Sequence, residues 1–263
     1  MRAIGINRIG DERVSDEEYI AKIAECGFTG LFSGVFAEER QLRLAELCAA
    51  YGIKYEALHA PFGHMNDIWL EGEGGDEMLG ELKHGVDHCA LAGAGILIVH
   101  LSSGETPPSI TDIGRARFAE LVEYAAGKNV RIAFENQRML ANIAWAFEAF
   151  KTDSVGFCWD CGHESCFTPG REYMPLFGDR LILTHIHDNY GIFNDDKHMI
   201  PFDASMNFER VAEHIRNSGF EGTVMLELSS TKSPLYADMS VDEYIQRAAK
   251  AARRLADMID GNV

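Results

Sequence analysis

Imidazole and carboxylate side chains recur in this 263-residue chain where short apolar runs end. Six successive runs end in, or lead directly to, such groups: His59, His100, Glu135, Asp160 with His163, His185 with His187, and Glu227. Three carboxylates gathered in a low-dielectric site are costly to charge unless a cation balances them. The pattern therefore favours a divalent metal site, and the alternative is a neutral network of hydrogen-bonded protonated carboxyl and imidazole groups.

The ligand types leave the identity of the metal open. Mixed His, Asp and Glu ligation suits zinc, manganese or iron, and magnesium where more carboxylate and water take part. Asp196 and His198 lie two residues apart after the seventh run, a spacing that places both on one side of an extended loop. More than one ion per chain is therefore also open.

The remaining cysteines and histidines are interpreted as structural. Cys158 and Cys161 form a CxxC pair that lacks the second ligand pair of a structural zinc site, so we expect packing thiols. The six cysteines are predicted to be free. Four histidines without partner spacing are predicted to be surface or internally satisfied groups: His64, His84, His88 and His214.

Eight strand-like runs must position the candidate ligands. They cover residues 2–6, 29–34, 54–59, 95–101, 130–135, 154–160, 181–187 and 222–228. Helical patterns lie between them at residues 15–26, 38–51, 76–92, 112–126, 143–150, 208–217 and 241–258, with a broken stretch at 163–177. Ser15 and Glu18 form a capping box, and the acidic, glycine-rich segment 71–76 is predicted to be a mobile loop.

Eight strand–helix units without a linker or a break in composition predict an α/β fold, a single (β/α)8 TIM barrel over residues 1–263. An open doubly wound sheet fits less well, because the first turn, residues 7–10, lacks a GxGxxG motif. In a closed barrel the carboxyl ends of all eight strands meet at one mouth. The candidate ligands are therefore predicted to converge there.

Charge and hydropathy exclude several classes of protein. The chain has 24 Lys and Arg against 41 Asp and Glu, a net charge of -17, and much of the acidic excess falls in the loops after the third to eighth strands. Such a chain repels nucleic acids and anionic membranes. The longest apolar run, near residues 96–101, is far shorter than the roughly 20 residues of a membrane helix. With no secretory signal in the first residues, a cytoplasmic protein is predicted.

Seven segments in order resemble the xylose isomerase-like TIM barrels, a family that includes sugar isomerases and epimerases and also endonuclease IV. They are LHAPF (58–62), IVHLSSG (98–104), AFENQ (133–137), GFCWDCGH (156–163), THIHDN (184–189), DDKH (195–198) and MLELSS (225–230). The resemblance implies a main metal site of Glu135, Asp160, His185 and Glu227, with His163 near the substrate. The additional ligand types of endonuclease IV fall on His59, His100, Asp196 and His198. Together with His163 and the four residues of the main site, they make nine candidate metal ligands.

The pattern departs from the ketose 3-epimerases at two positions. Those enzymes usually carry another Glu where this chain has Ala141, and an Arg where it has Gly191. No Lys-rich or Gly-rich phosphate cradle follows the seventh or eighth strand, which disfavours a sugar phosphate. The substrate is thus left as a small carbohydrate of unspecified structure.

The predicted activity is isomerisation or epimerisation of a sugar or polyol, with Glu135 and Glu227 as the catalytic proton-transfer groups. His163 and His187 are the candidate substrate-binding histidines, and Trp69 either supplies an apolar face to the sugar or anchors its loop. A metal-dependent abasic-site endonuclease and a non-catalytic metal- or sugar-binding barrel are the alternatives. The oligomeric state is open, and a homo-oligomer is compatible with the sequence.

Overall fold

The computed structural model describes residues 1–262, which contain eight parallel strands in the order β7-β6-β5-β4-β3-β2-β1-β8. The strands are β1 (Ile4–Asn7), β2 (Gly30–Gly34), β3 (Lys54–His59), β4 (Ile96–His100), β5 (Arg131–Glu135), β6 (Val155–Asp160), β7 (Leu181–His185) and β8 (Val224–Leu226). A bridge between Ile186 and Leu226 joins the two outer strands, and the Ile186 N–H donates to the Met225 carbonyl at 2.9 Å. The predicted (β/α)8 TIM barrel is confirmed.

Helices surround the strands. They are α1 (Asp16–Glu25), α2 (Glu38–Ala50), α3 (Glu73–Ala92), α4 (Asp112–Gly127), α5 (Leu140–Ala149), α6 (Cys161–Phe167), α7 (Met174–Phe177), α8 (Phe208–Ser218) and α9 (Val241–Asp260). Ser15 and Glu18 form the predicted capping box at the start of α1. Within residues 1–262, no helix is both long and apolar enough to cross a membrane.

Strand alternation aims the candidate ligands into the barrel. The interior holds a cluster of apolar residues: Phe32, Ala57, Ile96, Ile98, Ala133, Cys158, Leu183 and Met225. Side chains two residues apart on a strand share one face, so the residue two positions after an interior apolar group also faces inward. The ligand candidates follow this rule at His59, His100, Glu135, Asp160, His185 and Glu227.

The loop predicted at 71–76 is wrong over residues 73–76, because α3 already begins at Glu73. The guanidinium of Arg117, on α4, donates to the carbonyls of Ile68 and Leu70 at 3.1 and 2.6 Å. It also donates to the Asp76 carboxylate at 2.8 Å, inside the first turn of α3. This buried arginine holds the segment in place from 41 residues away, a contact that local composition does not reveal.

Candidate metal centre

Nine predicted ligands converge at the carboxyl ends of the strands and in the loop after β7. Their ligand atoms fall into groups in which the atoms of each lie within 4.8 Å of one another, and two of these groups share Glu135. The central group is Glu135, Asp160, His185 and Glu227; the second is His59, His100 and Glu135; the third is His163, His187, Asp196 and His198. Since no single element carries any of these groups, closure of the barrel is what assembles them.

Glu135 joins the central and second groups through its two carboxylate oxygens. Its Oε2 lies 3.1 Å from His59 Nε2 and 3.0 Å from His100 Nε2. Its Oε1 lies 3.4 Å from His185 Nδ1, which is also 3.3 Å from Glu227 Oε2. The two oxygens of this buried carboxylate therefore face two different groups of candidate ligands.

The third group depends on the loop after β7. Asp196 Oδ2 lies 2.6 Å from His198 Nε2 and 3.7 Å from His163 Nε2, and Asp196 Oδ1 lies 3.7 Å from His187 Nε2. His187 also reaches Asp160 Oδ1 at 3.0 Å, which links this group to the central one. From the sequence, His187 is predicted as a substrate-binding residue and not as a metal ligand. Its position two residues after His185 was the signal that it could join the ligands, because residues two apart on a strand face the same side.

The loop after β7 is held by the buried carboxylate of Asp188, which is not among the predicted site residues. Asp188 accepts hydrogen bonds from the backbone N–H groups of Asn189, Ala204 and Met206 at 2.8, 2.8 and 3.0 Å. The backbone of Asp188 also pairs with that of Met199. These bonds fix the stretch that contains Asp196 and His198.

Unpartnered polar atoms concentrate in the three groups. Among residues 1–262, eleven buried side-chain nitrogen or oxygen atoms lack a hydrogen-bond partner, and seven belong here: His100 Nδ1, Glu135 Oε1, His185 Nδ1 and Nε2, His187 Nδ1, Asp196 Oδ1 and Glu227 Oε2. Buried polar atoms almost always find partners, and a neutral network would supply them. The donor set therefore fits a divalent metal better than a neutral network.

Opposite charges keep the carboxylates ionised. Burial alone would raise the pKa of Glu135, but His185 and His100 hold it well below its usual range. Burial would also raise the pKa of Asp160, but His163 and His187 outweigh this effect and lower that pKa to about 2. Carboxylates that stay charged at neutral pH are available as metal ligands.

Cys158 also lies within ligand distance of Glu135 and His185, a proximity that the packing interpretation of the cysteines did not include. Burial raises the pKa of its thiol to about 12. A protonated thiol is a poor metal ligand, because the thiolate is the form that binds. Within the described residues all six cysteines are free, as predicted.

Trp69 stands apart from the metal-binding groups. Its indole N–H donates to the Leu101 carbonyl at 2.7 Å, and its ring packs against Phe118 and Trp145 at 5.0 and 5.2 Å between centroids. The side chain is 1% exposed. This packing corresponds to the loop-anchor alternative.

A cavity of about 250 Å³ opens onto the three groups. His163, Glu135 and Glu227 line it, together with Gln137, whose amide nitrogen lies 3.0 Å from His163 Nδ1. Arg138 and Lys232 are the arginine and the lysine of its wall. The cavity therefore brings the metal-binding groups and both candidate proton-transfer carboxylates to one space.

The chain belongs to the xylose isomerase-like TIM barrel family, whose model matches residues 20–258. An uncharacterized protein, y4fM of Sinorhizobium fredii, is 29% identical over 192 residues, which cover 68% of this chain and 60% of that protein. D-psicose 3-epimerase with D-tagatose from Clostridium cellulolyticum superposes with a TM-score of 0.81 at 12% identity, over 98% of this chain and 99% of that one. The IolI protein with a zinc atom superposes with a TM-score of 0.79 at 18% identity, over 98% of each chain.

Proposed function

We propose that this protein is a divalent-metal-dependent isomerase or epimerase of a small carbohydrate. The observation that carries the proposal is the convergence of Glu135 and Glu227 on one buried metal-binding group beside the cavity. Membership of the family supports it, and so does the likeness to a D-psicose 3-epimerase. A cytoplasmic location is part of the proposal.

A bound divalent ion would supply Lewis acidity toward a carbonyl and a neighbouring hydroxyl oxygen. Glu227 would remove the proton on the carbon next to the carbonyl; Glu135, ionised in the resting site, would take the proton of the neighbouring substrate hydroxyl and pass it to that carbon, and Glu227 would return its own proton to the hydroxyl oxygen. The two carboxylates come from β5 and from the end of β8, with His185 Nδ1 between them at 3.4 and 3.3 Å. Their separate strands let them approach a substrate from different sides.

His163 lines the cavity and is proposed to donate a hydrogen bond to a substrate hydroxyl. His187 is fully buried beside Asp160, with 3.0 Å between His187 Nε2 and Asp160 Oδ1. We propose that His187 holds Asp160 and the third group in place and does not itself touch the sugar. The side chain of Trp69 is proposed to have no contact with substrate.

Incubating the metal-loaded protein with a panel of ketoses and aldoses in heavy water tests the proton transfer. We expect deuterium at a carbon next to the carbonyl of at least one sugar. Glu227→Gln is expected to slow its incorporation by about a hundredfold or more, since it removes an acid–base group. Glu221→Gln, an exposed change just before β8, is the control and should leave the rate unchanged. Failure of every sugar to gain deuterium while metal is bound would contradict the proposal.

The three neighbouring groups of ligands favour a second candidate, a metal-dependent abasic-site endonuclease. The ligand positions resemble those of endonuclease IV, which uses three metals, and clustered ions can activate water and stabilise displacement at phosphorus. Metal content per chain separates the simplest forms of the two proposals. One ion fits an epimerase, and three ions are required by the endonuclease.

A further inference from the structure

Arg138 is a cation without an anionic partner on the wall of the cavity. It follows β5 by three residues, is half-buried, and lines the same space as Glu135 and His163. Within residues 1–262 no carboxylate oxygen lies within 4.0 Å of its guanidinium nitrogens. Arg138 therefore places a positive charge that no carboxylate of the described chain balances beside the candidate active site.

Two contacts hold the guanidinium in place. Its Nε–H donates to Asn194 Oδ1 at 3.1 Å, and its plane lies over the Phe167 ring at 3.6 Å. Phe167 in turn stacks on the His163 imidazole, with 4.6 Å between centroids and 21° between planes. The three side chains form a stack in which one aromatic ring separates the cation from a candidate metal ligand.

These contacts leave both terminal amino groups of Arg138 available. Only Nε is used in a hydrogen bond within the described chain, so both terminal amino groups are free to donate. Lys232, the lysine of the cavity wall, is already paired with Asp196 Oδ2 at 3.1 Å. A guanidinium presents paired N–H groups that match a carboxylate or phosphate, whereas a neutral polyol offers no charge to balance it.

We propose that the substrate carries an oxyanion, a carboxylate or a phosphate, and that Arg138 binds it. This inference rests on the proposed function, because it concerns the same carbohydrate substrate. One end of that substrate would meet the metal-binding groups, and the other end would carry the oxyanion that Arg138 binds. In the stack, 3.6 Å separates the Arg138 guanidinium carbon from the Phe167 centroid and 4.6 Å separates that centroid from the His163 imidazole, and Arg138 and His163 line one cavity. The absence of a phosphate cradle after β7 and β8 does not oppose it, because Arg138 lies after β5.

Three matched polyols test the proposal by equilibrium binding to the metal-loaded protein, measured by calorimetry at constant ionic strength. D-Glucitol is neutral, D-gluconate carries a carboxylate and D-glucitol 6-phosphate carries a phosphate, and none has an aldehyde or ketone group to react. We expect one of the two anions to bind about ten- to a hundredfold more tightly than D-glucitol, which is typical of a charge-assisted hydrogen bond. The preferred anion identifies the source of the oxyanion.

Arg138→Met should abolish this preference and leave D-glucitol affinity and metal content unchanged. Arg138→Lys keeps the charge but loses the paired donors, so it should restore only part of the preference. Arg131→Met is the control: it removes the same charge from an exposed arginine at the opposite end of β5. It should bind all three ligands as the unaltered protein does.

Equal affinity for all three polyols in the unaltered protein would overturn the proposal, and so would a preference that survives in Arg138→Met. Deuterium exchange tests the proposed function separately. Deuterium exchange into a sugar by the unaltered protein, together with equal affinity for the three polyols, would remove only the oxyanion site. If the anion preference is lost in Arg138→Met but no carbohydrate gains deuterium, the oxyanion site stands and only the proposed isomerase activity is contradicted.

Discussion

Gly162 occupies a position at the third group where no side chain fits. A β carbon there would lie 1.9 Å from Cε1 and 2.4 Å from Nδ1 of His187. The Gly162 carbonyl accepts a hydrogen bond from the Asn189 amide at 2.9 Å, so the backbone cannot withdraw freely. A glycine at position 162 therefore leaves the space in which the imidazole of His187 contacts Asp160.

Gly162→Ala is expected to displace His187 and so weaken the third group. We predict that, after saturation with zinc and removal of free ions, this variant retains less metal per chain and has a lower Tm than the unaltered protein. Elemental analysis and thermal denaturation measure the two effects.

Gly80→Ala, the same change within α3, is the matched control, because a β carbon at Gly80 has no neighbour within 4 Å. It should leave metal content unchanged and raise the free energy of unfolding by about 0.5–1 kcal/mol, as alanine does in a helix. Unchanged metal content and Tm in Gly162→Ala would contradict the assigned role of His187.

The site residues that strand position alone specifies were predictable, whereas those that depend on distances between loops were not. Glu135, Asp160 and His185 end apolar runs, and alternation along a strand determines that they face inward. Nothing local to residue 138 indicates that its guanidinium lies over Phe167 or lacks an acidic partner. Its environment is created by α6 and the loop after β7, which meet it only in the folded barrel.

At the scale of elements, Asp16 ties the start of α1 to its two neighbours. Its Oδ1 accepts a hydrogen bond at 2.7 Å from Arg8, in the loop after β1, and its Oδ2 accepts one at 2.7 Å from Arg40 on α2. The hydrogen bond from Arg40, opposed by burial and assisted by Arg8, lowers the pKa of Asp16 to about 2. One carboxylate thereby holds three consecutive elements together.

Asp16→Asn is expected to lower the free energy of unfolding by about 1 kcal/mol at pH 7, a modest value because the carboxylate is partly exposed and screened by solvent. The folded pKa of Asp16 lies below the unfolded value, so its contribution is present above about pH 4 and is lost as the pH falls toward 2. Chemical denaturation at pH 7 and at pH 2.5 should therefore show a smaller difference between variant and unaltered protein at the lower pH.

Asp112→Asn provides the matched control, because Asp112 is also the first residue of its helix but its side chain is fully exposed. It should change stability by less than about 0.5 kcal/mol at either pH. If the difference in free energy of unfolding between Asp16→Asn and the unaltered protein is the same at both pH values, the charge of Asp16 does not account for its contribution to stability.

Local sequence signals specified most elements but not every boundary. The capping box of Ser15 and Glu18 determines where α1 begins, and β3 covers residues 54–59 as predicted. The start of α3 was missed because Arg117, distant in sequence, supplies its stabilising contacts. The boundary of an element is mispredicted where contacts from an element distant in sequence stabilise it.

At the scale of the whole molecule, charge separates the two candidate activities. The family resemblance and the nine converging ligands allow abasic-site cleavage, but the net charge of -17 repels the phosphate backbone on which DNA affinity depends. Even three bound divalent ions would leave the formal charge strongly negative. A small carbohydrate with a single oxyanion needs only one local cation, which Arg138 supplies.

We therefore expect no cleavage of duplex DNA containing a stable abasic-site analogue, above that caused by metal alone, at about 0.15 M salt, where exposed charges interact over roughly 8 Å. End-labelled duplex incubated with the zinc-, manganese- or magnesium-loaded protein measures this directly. Lowering the salt strengthens repulsion between like charges, so cleavage should not appear at low salt either. Metal-dependent nicking at the abasic site that disappears in Glu135→Gln would contradict the prediction, because the variant excludes a contaminating nuclease. That result would make the endonuclease the better function for the same ligands.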